Sequence, residues 1–281
     1  MFRIAVRNVT ARFGRIFLTA LAIIVSTAFL SGTFIFRDTL EASFDALFAK
    51  SYEKVDVYVQ SASSVETPFG FERRGKVTVD TVAVVAAIPG VKDAQALVQD
   101  DAVVIGKNGK PIERTSRSTS GGTINSGDLS VWKIIDGRRP EADDEVVLDS
   151  ETADDGKYSV GDQVKVNAEG GSRTFTLVGI AEYNDISTPG DATWALFDAK
   201  TAMDFVLKPG FIDAILVQGD GTLTDEALAA RVQSGLDAAQ GTEVSEALTG
   251  AQIIEQSQTE IEKGLGSVSY THLTLPTIYS V

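Results

Sequence analysis

Residues 16–36 read IFLTALAIIVSTAFLSGTFIF, an uncharged run of 21 residues. It follows FRIAVRNVTARFGR at residues 2–15, which carries Arg3, Arg7, Arg12 and Arg15, and no acidic residue precedes Asp38. At about 1.5 Å rise per helical residue the run reaches roughly 31 Å, the hydrocarbon thickness of a bilayer. The stretch therefore predicts a transmembrane helix over 16–36. A cleaved signal peptide is the first competing reading, but its apolar region spans about 7–15 residues and ends on a small-x-small site. Here Phe34, Ile35 and Phe36 carry the run past Ser31 and Gly32. A buried core helix, the second, rarely needs this length. Four arginines without an acid on the short N-terminal side put residues 1–15 in the cytoplasm and everything after Arg37 outside.

Working outward, Phe2, Val6, Val9 and Phe13 fall at helical spacing among the arginines. Residues 1–15 thus read either as a basic amphipathic segment on the inner membrane surface or as a charged flank that only fixes topology. Inside the span, Ala22 with Ser26, Thr27 with Ser31, and Ala28 with Gly32 form small-xxx-small pairs that would admit a second helix closely. Leu40, Phe44, Leu47 and Phe48 continue the helical period, so residues 37–50 read as a helical stalk.

The chain holds 25 Lys+Arg against 39 Asp+Glu, a net charge of −14. Because the first 37 residues hold five arginines and no acid, the remainder carries 20 basic and 39 acidic residues, or −19. That balance argues against nucleic acid as a partner of the outer region. With no cysteine, disulfides and thiolate metal sites are excluded. The only histidine, His272, leaves no material for His-based triads or His-rich zinc sites. Neither a G-x-x-x-x-G-K-[ST] loop nor a G-x-S-x-G elbow occurs. Asp143, Asp144 and Glu145, with Asp154 and Asp155, are the obvious carboxylate candidates for glycosidase chemistry, but they read as solvated acidic turns. Trp132 and Trp194 read as core rather than as a ligand groove. The chain is therefore expected to be no enzyme, with no cofactor and no metal.

The outer region, residues 51–263, predicts a mixed α/β domain. Val55, Val57 and Val59 alternate with polar residues as in a half-buried strand. Asp80 is expected to cap a helix carrying Val82, Val85 and Ile88 that stops at Pro89-Gly90, before strands in 91–105. Asn108-Gly109 signals a hairpin between Val103–Ile105 and a strand resuming at Ile112. RTSRSTSGGTINSG at 114–127 reads as a loop or subdomain boundary, the least ordered part of the domain. Short strands at 145–148, 163–167 and 174–180 make a mostly-β subdomain over about 128–190. Beyond it come a strand at 193–197, a helix capped by Asp198, a strand at 211–217 and a helix from Asp225 holding Leu228, Val232 and Leu236. A final helix holding Leu248, Ile253, Ile254 and Ile261 is expected to lead back toward the membrane. Residues 264–281 break the pattern, and SVSYTHLTLPTIYSV at 267–281 reads as a disordered or non-native tail.

Ala5-Val6-Arg7-Asn8-Val9 followed by Arg12, Arg15 and Leu18-Thr19-Ala20-Leu21-Ala22-Ile23 resembles the opening of the FtsX/MacB-type ABC transporter permeases. The outer region is similar too, through Asp136-Gly137-Arg138-Arg139-Pro140, Asp144–Asp149, Val160-Gly161-Asp162 and Phe175–Ile180. The resemblance covers roughly residues 3–265, and its specificity lies in the order of the motifs and the topology. It implies an α+β fold: one transmembrane helix with a stalk, then an extracytoplasmic MacB-like core. It also implies a permease subunit in the cell membrane, working as a homo- or heterodimer with a cytoplasmic ABC ATPase subunit. Arg3, Arg7, Asn8, Arg12 and Arg15 become candidates for ATPase coupling or membrane anchoring, and Ala22, Ser26, Ala28 and Gly32 for helix packing. The family's second helix would begin just after Gly264-Leu265-Gly266, so by resemblance the chain is an N-terminal fragment. A stand-alone, single-pass anchored binding module is the alternative from another class.

Overall fold

The computed structural model describes residues 13–67, 72–114 and 118–274. They divide into two compact units, Met1–Ala46 and Leu47–Val281. The first unit is helical: helix α1 runs unbroken from Phe13 to Tyr52, and Phe17–Phe36 within it is long and apolar enough to cross a membrane. Its side chains stand exposed, with Phe29 at 76% and Ile35 at 66%, as a helix solvated by lipid requires. Thr27 and Thr33 donate to the carbonyls of Ile23 (2.8 Å) and Phe29 (2.9 Å), so neither hydroxyl is left unpaired in hydrocarbon.

The second unit is built on two sheets. Strands β1 (Val57–Ser61), β5 (Val91–Leu97), β15 (Ala214–Gly219) and β16 (Ser245–Thr249) form an antiparallel sheet in the order β16-β1-β15-β5. Helices α2 (Asp80–Ala86) and α5 (Asp225–Gln240) cover one face, where Val57, Val59, Ile215 and Val217 meet Val85, Leu228, Val232 and Leu236. The other face carries Tyr58, Ala214 and Leu216, packed with Val55, Leu129 and Ile253. All five residues of β1 are therefore buried, not alternate ones as the Val55-Val57-Val59 pattern suggested. A strand with neighbours on both edges and layers on both faces has no solvent side. Edge strand β16 is guarded by a side chain: Gln233 of α5 donates to Ser245 O (3.0 Å) and accepts from Ala247 N (2.8 Å), standing in for a missing strand.

The larger sheet is mixed. Its order is β6 (Gln99–Asp100), β8 (Thr119–Thr123), β13 (Thr193–Phe197), β10 (Glu145–Asp149), β12 (Gly171–Tyr183), β11 (Gln163–Ala168), β7 (Val103–Ile105), with β9 (Trp132–Gly137) also on β12. It draws strands from beyond both ends of 128–190. Its two edge strands, β6 and β7, are separated in the chain only by Asp101 and Ala102. Three Cα steps span at most about 11 Å, so the sheet must curl until its edges nearly meet. Phe175, Phe197 and Phe205 fill the interior, with ring centroids 4.9–5.6 Å apart. Between β13 and the next strand, a short helix α4 (Ala199–Thr201), capped by Asp198 as predicted, runs on in π form over Ala202–Val206.

Several expectations are corrected. Residues 119–123 are not loop but strand β8, paired in parallel with β13. Its glycines are there for contact: a Cβ on Gly122 would lie 2.3 Å from Val98 O, and one on Gly121 2.5 Å from Ala102 Cβ. Asp80 does not cap α2, since the cap position is Val79 with no side-chain bond, and Asp80 instead offers its charge to the first turn. Asp154 and Asp155, read as a solvated acidic turn, lie on helix α3 (Ser150–Gly156), capped by Asp149. The Asn108-Gly109 turn forms, but it closes on a single Ile105–Pro111 bridge rather than on a new strand. The strand predicted over 211–217 is split into β14 (Phe211–Ile212), which pairs with β4 (Val77–Thr78), and β15. Leu248 belongs to β16, and helix α6 starts only at Gly250. The boundary is a capping box: Thr249 N donates to Gln252 Oε1 (2.8 Å) and Gln252 N to Thr249 Oγ1 (3.2 Å). α6 stays helical to Thr274, through a stretch read as lying outside the periodic pattern.

Candidate functional site

The candidate site lies within the second unit, where α1 ends and α6 begins. Pairing of β1 with β16 sets Val57 opposite Thr249, so the end of one long helix and the start of the other lie on adjacent strands. Gly250 N donates to Asp56 O (3.3 Å), and a Cβ on Gly250 would sit 2.2 Å from Val55 O. Only glycine permits that approach. Tyr52, on the last turn of α1, packs edge-on to Tyr58 of β1 with centroids 5.6 Å apart. Burial pushes both phenols above their ordinary pKa, so both stay neutral.

A cleft of about 700 Å³ opens beside these tyrosines, with Gln60, Arg74, Lys76 and Asp213 among its lining residues. The buried Gln60 donates to Glu246 (2.7 Å) and Gln256 (3.1 Å), tying β1 to β16 and to the second turn of α6. Arg74 of strand β3 (Glu72–Arg74), which pairs with β2 (Ser64–Glu66), bonds Glu246 from the other side. Lys76 pairs with Asp213, whose carboxyl is pushed up by burial while the Lys76 bond pulls it back. Arg74 also meets Glu72 (3.4 Å) and Lys76 also meets Asp100 (3.7 Å), so both cations are shared between two carboxylates.

On the opposite flank the last turn of α1 is fastened to the end of β12. Lys50 Nζ donates to Asp185 Oδ2 (2.7 Å) and Asn184 O (3.0 Å). Ser51 Oγ shares a 2.7 Å bond with Tyr183 OH and accepts from Asn184 Nδ2 at 3.1 Å. Lys50 holds Asp185 below the usual carboxylate range.

The segments on which the family resemblance rests build corners of the larger sheet. Gly137 (φ +73°) closes β9, Arg138 N donates to Val178 O (2.8 Å), and Arg138 grips Glu145 with both guanidinium nitrogens. That grip, with the N–H groups of Glu141 and Ala142, pulls Glu145 down to about 2. Arg139, whose charge burial disfavours, donates to Asn125 O, Ser130 Oγ and Trp132 O and so locks the chain entering β9. Gly161 N donates to Leu177 O (2.7 Å), and Leu177 N to Asp162 O (2.8 Å), fixing the turn before β11.

Of the candidate residues, Arg3, Arg7, Asn8 and Arg12 lie outside the described residues, as does the side chain of Arg15. The amphipathic reading of residues 1–15 falls there too. Ala22, Ser26, Ala28 and Gly32 are all exposed on α1. At 100° per residue the Ala22/Ser26 pair and the Ala28/Gly32 pair sit about 120° apart, on two faces of the helix. Sequence reasoning missed Lys50, Ser51, Asn184 and Asp185. The readable signal was Asn184-Asp185, two residues that tolerate left-handed backbone, just after a long strand.

The family model described as the MacB-like periplasmic core domain matches residues 16–238. No curated protein matches the chain. Among solved structures, the periplasmic region of MacB from Actinobacillus actinomycetemcomitans is similar at TM-score 0.56 and 12% identity, over 73% of this chain and 95% of that one. The extracellular domain of the noncanonic ABC-type transporter YknZ from Gram-positive bacteria matches at TM-score 0.49 and 15% identity, over 69% and 99%. A domain of a putative permease protein from Porphyromonas gingivalis gives 0.47 and 15%, over 70% and 89%. With one apolar N-terminal helix and this core fold, the chain belongs to the MacB-like periplasmic core domain family of ABC transporter permeases.

Proposed function

We propose that the chain is a permease subunit of an ABC transporter complex. It couples ATP hydrolysis by a cytoplasmic ATPase to an extracytoplasmic domain, for export or for mechanical signalling across the membrane. The observation that carries this reading is the joint between the two helices: the end of α1 and the start of α6 are held on adjacent strands, with Gly250 against Val55 O. Movement of either helix acts directly on the core of the domain. The reading puts residues 1–15 in the cytoplasm, 16–36 in the bilayer, 37–50 as a stalk and 51–263 outside. Arg3, Arg7, Asn8, Arg12 and Arg15 meet the ATPase or the inner lipid surface, and Ala22, Ser26, Ala28 and Gly32 pack against helices of a homo- or heterodimeric assembly. Charge patterning supports the orientation, and membership of a family of transporter permease components supports a non-enzymatic subunit.

The test is recruitment. Replacing Arg7 and Arg12 by Glu is expected to reduce co-purification of the ATPase at least several-fold while leaving the circular dichroism of the outer domain unchanged. Equal recruitment by the variant would reduce these arginines to topology markers and favour the anchored module.

A further inference from the structure

Five non-glycine residues among the described ones have positive φ, and three of them fall in one segment: Asn184 (48°), Asp185 (66°) and Asp191 (53°). The segment, Tyr183–Asp191, joins β12 to β13 and is held at both ends by side chains. At one end are the Lys50 and Ser51 contacts to the last turn of α1. At the other, Arg114 donates to Asp191 (3.0 Å), to Asp155 (3.0 Å) and to Glu151, which in turn accepts from Ser187. The two ends differ in strength. Arg114 is only 14% exposed and serves three carboxylates that are 35–50% exposed, whereas Lys50, 48% exposed, and Lys133 (3.6 Å) share one carboxylate, Asp185, that is 64% exposed and more fully screened by water. Left-handed backbone at Asn184 and Asp185 adds a conformational cost that relaxes once the contacts holding it are lost.

We propose that Tyr183–Asp191 is a release strap: it grips the last turn of α1 through Lys50 and Ser51, and detaches there first, staying anchored at Arg114, when that turn is displaced. The proposal rests on the reading of α1 as the moving element and adds where its motion enters the larger sheet. The route is short. Tyr183, bonded to Ser51, stands edge-on to Trp132 with centroids 5.0 Å apart, and Trp132 lies 5.4 Å from Trp194 of β13. These are the chain's two tryptophans, so the strap carries its own optical reporter.

The test uses the full chain in lipid nanodiscs and compares three proteins by hydrogen exchange: wild type, K50M/S51A and an S51C/N184C variant. The native chain has no cysteine, so the engineered pair is the only disulfide that can form. Two strap amides are read: Asn184, bonded to Val131 O, and Ile186, bonded to Tyr183 O, each at 2.9 Å. Leu177, bonded to Asp162 O at 2.8 Å, is the control inside the sheet. In K50M/S51A the strap amides are expected to exchange about tenfold faster with Leu177 unchanged, accompanied by a shift in tryptophan emission. In the cross-linked variant they are expected to exchange at least as slowly as in wild type. Equal strap exchange in wild type and K50M/S51A overturns the proposal, as does a parallel rise at Leu177, which would make the contacts part of global stability. No ATPase enters this measurement, so its failure is separable from failure of the recruitment experiment.

Discussion

Two carboxylates in β10, four residues apart, respond to pH in opposite senses. Asp149 is fully buried, accepting from Thr152 N (3.1 Å) and Trp194 N (2.9 Å), and desolvation outweighs these bonds to raise it from 3.8 to about 6. Its contribution to stability is full below about pH 4 and is lost as pH rises through about 6. Glu145, pulled down from 4.5 to about 2 by Arg138, contributes above pH 4.5 and loses that contribution as pH falls toward 2. Asp149→Asn keeps one acceptor and never ionises. At pH 4 it is expected to cost about 1–2 kcal/mol for the N–H left unpaired. That gap to wild type should shrink or reverse by pH 7, where the native carboxylate is charged and buried. Urea unfolding at pH 4, 5.5 and 7 measures it, and a gap that widens with pH would contradict the assignment.

Elements with a regular apolar period were readable from the chain: α1, β10, β11, β12, β13 and α5 fall where the 3.6 and 2.0 repeats put them. β8 and β16 were not. Thr-Ser-Gly-Gly-Thr carries no apolar alternation, and its strand exists because the backbones of Val98 and Gly122 must pass closely. Ser-Glu-Ala-Leu-Thr has middling strand propensity and is held by β1 and Gln233, partners distant in sequence. The joint was illegible for the same reason: Lys50 and Asp185 are 135 residues apart, and no local pattern links them. Gly122→Ala tests the close-approach argument. Overpacking against Val98 O is expected to cost about 2–3 kcal/mol, a drop of roughly 4–12 °C in Tm by calorimetry. An unchanged Tm would mean that β8 shifts freely.

At the scale of the whole molecule, the uncharged run within α1 and the acidic outer domain define a protein with two solvents. On the proposed function, the core from Val55 onward stands outside the cell on a helix whose N-terminus is inside. The joint at Gly250, the strap at Tyr183–Asp191 and the proposed recruitment of an ATPase by Arg7 and Arg12 have a transmembrane function only in that orientation. The cysteine-free chain makes the claim directly measurable, with single cysteines at Val65, 71% exposed on β2, and at Ala5. With a membrane-impermeant maleimide on intact cells, Val65→Cys is predicted to label fully and Ala5→Cys only after permeabilisation. Labelling of Ala5→Cys in intact cells, with Val65→Cys protected, would contradict the account.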